Sequence, residues 1–386
     1  MYTNVSFAPG DHFLRSGIMQ AQMDLGEGDG DDFLGSKIDV EYMDYVHPHW
    51  RQYRAPKAYQ HFLLGIVYAI ILFMGMLGNL LVLIAFFSTK ALRTPSNSFV
   101  ANLAIFDTLM MSKLPVFVIN SVYEGQFFGK IGCDIYGLVG SYSGMGAAIT
   151  NSAIAFDRYR TIAKPLDGRL GMKAALGLIA GTWLWATPFS ILPFFEIWSR
   201  FAPEGYLTTC SFDYMTEGHS TQIFTIVIFT WAYVIPLLLI ALFYSQLLSH
   251  VREHEKMLKE QAKRMNVKSL SQGDEKSAEI RIAKVAISIV FLFICGWTPY
   301  ALVAIIGCFG DRSLMTPTFS MFPAIACKTV ACIDPWVYAI NHPRFRAEIQ
   351  KKVPWLCMFG EEKKDSKSSD NKSTASNATD VKSETA

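Results

Sequence analysis

Charge is scarce in this chain. Only 18% of its 386 residues are Asp, Glu, Lys or Arg, whereas 51% are hydrophobic. That balance excludes an ordinary soluble enzyme and indicates a chain that crosses a membrane several times. None of the seven cysteines forms a CxxC pair, which argues against a zinc site or a dithiol redox motif. The N-terminus has no basic segment followed by a short apolar core. No cleaved signal peptide is expected, and the first apolar span has to act as its own targeting signal. No inverted repeat relates the two halves, which argues against a transporter. The net charge is +2, and no nucleic-acid partner is expected.

What the chain has is seven apolar stretches, each long enough for a hydrocarbon core of about 30 Å. They run over approximately 62–87, 97–122, 131–163, 173–195, 221–248, 281–307 and 317–341. Lys90 and Arg93 follow the first. Arg158, Arg160, Lys164, Arg169 and Lys173 lie between the third and fourth, and HVREHEKMLKEQAKRMNVK follows the fifth. The positive-inside rule puts these connections in the cytoplasm, with the N-terminus outside and the C-terminus inside. The expected fold is all-α, a seven-transmembrane helix bundle over 61–341.

Residues 1–60 read as an extracellular tail, Gly- and Asp-rich and mostly flexible, with nine acids against five Lys or Arg. Asn4-Val5-Ser6 is a glycosylation sequon within it. Residues 342–354 read as a short amphipathic helix on the cytoplasmic surface of the lipid bilayer. Residues 355–386 read as a disordered cytoplasmic tail, in which Ser366, Ser368, Ser369, Ser373 and Thr374 are candidate phosphate acceptors.

Lys328 lies in the middle of the last span, Thr318 to Asn341. A lysine at the bilayer centre costs roughly 2.5–3.5 kcal/mol on insertion scales. It is too far from either end of the helix to reach the interface easily. One reading is a buried lysine paired with an acid or facing a wet cavity. The other is chemical: a desolvated amine loses its proton readily and can form a Schiff base with an aldehyde.

Further polar residues sit in or beside the spans. Asp107 in the second needs a partner, and Asn79 and Asp334 are candidates. Asp157-Arg158-Tyr159 lies at the inner end of the third, with Glu279 as a distant partner for Arg158. That pair would hold the cytoplasmic face shut; the bland alternative is two exposed interfacial charges. Trp297-Thr298-Pro299 predicts a kink in the sixth span, and Pro236 and Pro335 predict kinks in the fifth and seventh. Cys133 and Cys210 both fall on the oxidising side, where a disulfide is expected. Cys295, Cys308, Cys327 and Cys332 read as packed thiols.

Taken in order, Gly78-Asn79, Leu103-Ala104-x-x-Asp107, Asp157-Arg158-Tyr159, Trp183, Trp297-x-Pro299 and Asp334-Pro335-x-x-Tyr338 resemble the rhodopsin-like family of G-protein-coupled receptors over about 60–355. The last motif departs from the family pattern, which usually begins with Asn. Within the family the chain resembles the opsins, because Lys328 stands seven residues before Pro335, where the retinal-binding lysine lies. The resemblance is to arthropod short-wavelength (ultraviolet or blue) visual opsins. It implies a light-activated receptor, not an enzyme, that holds 11-cis-retinal or 3-hydroxyretinal on Lys328 as a Schiff base, close to Trp297.

Vertebrate visual opsins carry a glutamate counterion where this chain has Tyr136. Glu204, six residues before Cys210, matches the invertebrate counterion position and implies a bistable pigment. The segments Gln261 to Val267 and Glu279 to Lys284 resemble those of visual opsins coupled to the Gq class and phospholipase C. Asp157, Arg158, Tyr159, Glu279, Asp107, Asp334 and Tyr338 are the implied switch residues, with arrestin and a receptor kinase as further partners. The implied location is the plasma membrane of photoreceptor microvilli.

Lys113 in the second span matches a lysine of arthropod ultraviolet opsins. A second cation near the retinal nitrogen disfavours its protonation, and the unprotonated form absorbs in the ultraviolet. The alternative for this residue is a lysine snorkelling to the outer interface. A pigment tuned to blue is the runner-up to the ultraviolet reading. Two other functions compete. A receptor for a diffusible ligand would want an acid in the third span between Tyr136 and Ser143, and there is none. A non-visual retinal photoisomerase would have less use for Asp157-Arg158-Tyr159 and the basic third inner loop.

Overall fold

The computed structural model describes residues 33–354 apart from 37, 39, 165–167, 265–272 and 342. Some side chains at the inner ends of the fifth, sixth and seventh spans lie outside the description as well. Seven helical spans form a bundle. The first is Ala58–Ser88, the third Gly129–Ala163, the fourth Met172–Phe194, the sixth Gly273–Phe309 and the seventh Pro317–Asn341. The second and fifth are interrupted. By length and composition alone, five helices among the described residues suffice to cross a membrane. The third and seventh are not among these five; both carry buried polar residues, Asp157 and Arg158 in the third, Lys328 and Asp334 in the seventh.

The second span is Pro95–Ser112 followed by Leu114–Val122, with the break at Lys113. Pro115 has no amide hydrogen to give Met111, so that carbonyl accepts the Lys113 amide instead. The fifth span is His219–Phe229, a π-helical turn at Thr230–Val234, and Ile235–Arg264. Just before Pro236 the ladder widens by one residue, because this proline cannot donate to the carbonyl four residues back. The Pro236 carbonyl is taken by Ser152 Oγ of the third span at 3.1 Å. Pro299 and Pro335 stay inside unbroken helices.

Packing between spans relies on polar staples as well as apolar contact. Asn102 uses every bond it has room for. Its amide donates to Thr150 Oγ1 at 2.9 Å and Thr182 Oγ1 at 3.0 Å, and its carbonyl accepts from Trp183 Nε1 at 2.9 Å. One residue thereby ties the second, third and fourth spans, each bond worth about 0.6 kcal/mol in a bilayer. The inner half of the bundle is filled by Phe99, Leu103, Phe106, Ile154 and Leu247, among others. The surface helix Pro343–Lys352 joins this core through Phe345 and Ile349, and its Glu348 accepts from Thr89 Oγ1 at 3.1 Å.

The outer end is closed by a hairpin of two antiparallel strands, β1 (Phe201–Glu204) and β2 (Thr209–Phe212). Cys210 in β2 is disulfide-bonded to Cys133 of the third span. Removing such a bond costs small secreted domains about 2–5 kcal/mol. Here it also pins the hairpin over the bundle.

The flexible reading of residues 1–60 is corrected from Phe33 onward. Phe33 bridges Arg54, a 3-10 turn covers Val40–Tyr45, and Pro48–Arg51 is a single helical turn. Leu34, Val46 and Trp50 are buried against Leu207, Tyr214, Met215 and Met315. Gly and Asp dominate the composition of LGEGDGDDFLG, whereas a few large apolar side chains decide the packing of the segment. Asn4 lies outside the described residues.

Candidate functional site

Beneath the hairpin lies a cavity with an open volume of about 460 Å³. The second, third, sixth and seventh spans line it together with the hairpin. The seventh contributes Lys328, which is 4% exposed. Its Nζ donates to the Ala324 carbonyl at 2.8 Å and lies 5.7 Å from the Tyr68 ring centroid. The second span contributes Lys113 from its break. This side chain is 8% exposed, and its Nζ sits 4.3 Å from the centroid of the Tyr136 ring. It does not snorkel, and the interfacial alternative is therefore corrected. The break at Lys113 leaves it facing the third span, where Gly140 makes room. A β-carbon on Gly140 would fall 2.0 Å from Lys113 Nζ.

β1 contributes Glu204, 5% exposed. Its Oε2 accepts from Tyr214 at 2.9 Å and its Oε1 from Tyr300 at 3.1 Å. Burial pushes this carboxyl above the ordinary carboxylate value. The two tyrosine bonds and the Lys328 and Lys113 ammoniums oppose that rise without cancelling it. Asp213, just past β2 in the same outer layer, shows the opposite balance. Burial raises it, but bonds from the Thr216 hydroxyl, the Thr216 amide and Arg200 hold it below the usual range. Two anions in one layer are thus set apart by their donors.

The first cavity opens into a second of about 740 Å³, because Gly140, Ser141, Ser211, Phe212, Trp297 and Tyr300 line both. The second continues to Phe229, Tyr233 and Phe293 between the third, fifth and sixth spans. It is almost wholly apolar. Trp297 stands at the junction and leans on Gly144, where an added β-carbon would lie 2.6 Å from the indole. The combined space is a long slot with an amine at one end and aromatic walls at the other.

Toward the cytoplasm, Arg158 Nη1 lies 3.8 Å from Asp157 Oδ2. The Tyr159 ring faces Phe243 and His250 of the fifth span, with centroids 6.2 Å away in both cases. The side chains of Glu279 and Tyr338 lie outside the described residues. Asp107 and Asp334 are buried within electrostatic reach of one another. Asn79, the other candidate partner of Asp107, bonds elsewhere: its amide donates to the Gly75 and Ala331 carbonyls at 2.9 and 3.0 Å.

Sequence reasoning missed three tyrosines of this site. Tyr214 and Tyr300 hold Glu204, and Tyr68 stacks on Phe117 at 3.7 Å with its ring toward Lys328. Tyr300 was within reach of a helical-spacing argument, three residues after Trp297. Tyr214 sits in a loop and Tyr68 in a span crowded with apolar residues, so neither gives a local signal.

The arrangement matches known proteins closely. Residues 78–338 fit the family 7 transmembrane receptor (rhodopsin family). The chain is 56% identical over 326 residues to the blue-sensitive opsin of Apis mellifera, covering 84% of this chain and 86% of that protein. It is 49% identical over 326 residues to the ultraviolet-sensitive opsin of Apis mellifera, covering 84% and 88% respectively. The crystal structure of squid rhodopsin superposes with a TM-score of 0.76 at 33% identity, covering 82% of this chain and 92% of that one.

Proposed function

We propose a function from the premise that the chain belongs to the rhodopsin family of seven-transmembrane receptors and, within it, to the arthropod opsins. It is a photoreceptor, a multi-pass plasma-membrane protein that uses a retinal chromophore and signals to a heterotrimeric G protein. The finer reading is an ultraviolet-sensitive, bistable pigment coupled to the Gq class. The observation that carries it is Lys113, buried in the same cavity as Lys328 and Glu204.

The residues present fit the chromophore. A slot with a buried amine at one end and apolar walls at the other suits a long apolar aldehyde, 11-cis-retinal or its 3-hydroxy form. Bound to Lys328 through an imine, retinal supplies the light absorption and the change of shape. Lys328, Glu204, Lys113, Tyr136 and Trp297 would hold or tune it. Glu204 supplies the anion, and the hydroxyls of Tyr214 and Tyr300 favour its charged form. Lys113 supplies a cation on the same side, which disfavours a second positive charge on the Lys328 nitrogen. Tyr136, where other opsins have a glutamate, brings no charge.

The coupling is a population shift. In the dark, Trp297 packed on Gly144 favours a bundle closed at its inner face, with Arg158 held beside Asp157. After light, the sixth span swings about Pro299 and uncovers Arg158 and the inner loops to a G-protein helix. Asp107 and Asp334 link the second and seventh spans in this change, and Tyr159, Glu279 and Tyr338 complete the inner switch. Phosphate added by a receptor kinase to the C-terminal tail recruits arrestin by negative charge. The N-terminus faces outward, with Asn4 as a glycan site, and the cell compartment is the photoreceptor microvillus.

A blue-sensitive pigment is the second reading, favoured by the higher identity to the honeybee blue-sensitive opsin. Overall identity reports the ancestry of the whole chain, whereas tuning rests on a few cavity residues. Coupling is tested by nucleotide exchange on purified G proteins. The reconstituted receptor should drive exchange on Gq-class subunits on illumination at least tenfold over darkness. Equal or better exchange on another class would overturn the Gq assignment.

A further inference from the structure

The ordered N-terminal segment is seated on the back of the site just described. Trp50 is 1% exposed and packs in one cluster with Leu34, Val46, Leu207, Tyr214 and Met315. Tyr214 is the residue that donates to Glu204 Oε2. A narrow gap, with room for about one water, lies between the segment and the hairpin, and His47, Trp50, Tyr214 and Glu204 all line it. Glu204 therefore has the large slot on one side. On the other it has this small space, roofed by residues 47–50.

Arg51 folds the segment on itself, donating to the Val46 carbonyl at 2.8 Å and to that of Met43. Other contacts fasten it to the rest of the protein. His49 Nε2 is bonded to the Met315 carbonyl at 2.8 Å. The Tyr45 ring has Lys130 Nζ 5.1 Å from its centroid and the Arg200 guanidinium 5.8 Å from it. The Tyr42 hydroxyl lies 3.7 Å from Cys210 Sγ, at the disulfide itself. Ordering a chain costs about 1–2 kcal/mol per residue in backbone entropy, so a segment held this way is more than a tether for what precedes it.

We infer that Trp50 is a positioning residue for Glu204. Through Tyr214 it fixes the carboxylate toward Lys328 and Lys113. Through its bulk it keeps water and small nucleophiles from reaching that carboxylate from outside. The inference rests on the reading of Glu204 as the anion of the chromophore site.

The first readout uses the full-length protein without retinal, in detergent. A water-soluble carbodiimide with an amine label modifies carboxyl groups, and mass spectrometry reads the extent at Glu204. Trp50→Ala should label Glu204 at least tenfold faster than the parent protein. Trp50→Phe, which keeps an aromatic roof, should stay within about twofold. Equal rates in all three would overturn the inference. If Trp50→Ala does not fold, Trp50→Leu takes its place, and an unchanged rate there overturns it equally.

The second readout is the retinal-loaded pigment in the dark with hydroxylamine. Trp50→Ala should lose its absorption band at least tenfold faster, and Trp50→Phe should restore the slow rate. Equal decay in both variants and the parent would also overturn the inference. Glu204→Gln tells the two failures apart. If its spectrum and its pH dependence match the parent, the anion reading fails and takes the functional role of Trp50 with it. If Glu204→Gln shifts them while the Trp50 variants change nothing, only the inference about Trp50 fails.

Discussion

Replacing Lys328 by alanine is expected to abolish the covalent retinal adduct completely. Borohydride reduction of the reconstituted parent protein should trap retinal on one peptide, that containing Lys328. The variant should trap none. The prediction is sharp because the cavity holds two buried amines, and Lys113 is the only credible substitute. Geometry separates them. Lys328 Nζ donates to the Ala324 carbonyl and lies 3.9 Å from Cys327 Sγ, whereas Lys113 Nζ lies over the Tyr136 ring and beside Gly140. Attack on an aldehyde needs an open approach to the amine nitrogen, and the face of the Tyr136 ring covers one side of Lys113 Nζ. The far-ultraviolet circular dichroism of Lys328→Ala checks that the bundle is intact, because removing one buried charge beside another carries a folding cost. An adduct that persists on Lys113 would reassign the attachment site.

The second large effect is on colour. Lys113→Glu should move the dark absorption band from the ultraviolet into the visible. The change reverses a charge inside a low-dielectric cavity already shared with Glu204 and Lys328. An opposite charge within about 4–6 Å shifts an ionisation by 1–3 pKa units, and a like charge shifts it the other way. Reversal therefore exchanges a cation that opposes protonation of the Lys328 nitrogen for an anion that favours it. The swap is tolerated sterically, because glutamate is shorter than lysine and Gly140 leaves the space open. An ultraviolet band unchanged in Lys113→Glu would remove Lys113 from the tuning argument.

The seven spans were legible because an apolar run of sufficient length has few other uses. The disulfide partners followed from which side of the membrane each cysteine falls on, and Cys133–Cys210 is formed. Lys328 stood out for the opposite reason: it is a costly residue where composition forbids one. Lys113 was visible as a residue but not in its direction. Whether it faces lipid, interface or cavity depends on the helix break that Pro115 imposes, a backbone event with weak sequence signal. The π-helical turn before Pro236 is of the same kind. Tyr68 and Tyr214 were hidden because their roles exist only through contacts across the bundle. The ordered N-terminal segment was lost for a compositional reason, since Trp50 and Val46 are few among many Gly, Asp and polar residues. Packing partners far along the chain, Tyr214 and Met315 above all, decide their fate.

The most direct test of the account is the absorption spectrum of the purified protein reconstituted with 11-cis-retinal, recorded before and after near-ultraviolet light. The predicted result is a dark band in the ultraviolet that light converts to a visible photoproduct, with a second, longer-wavelength exposure restoring the first. A folded protein that forms no pigment would contradict the central claim that Lys328 and its cavity hold retinal. A dark band in the visible would keep that claim and contradict the role given to Lys113.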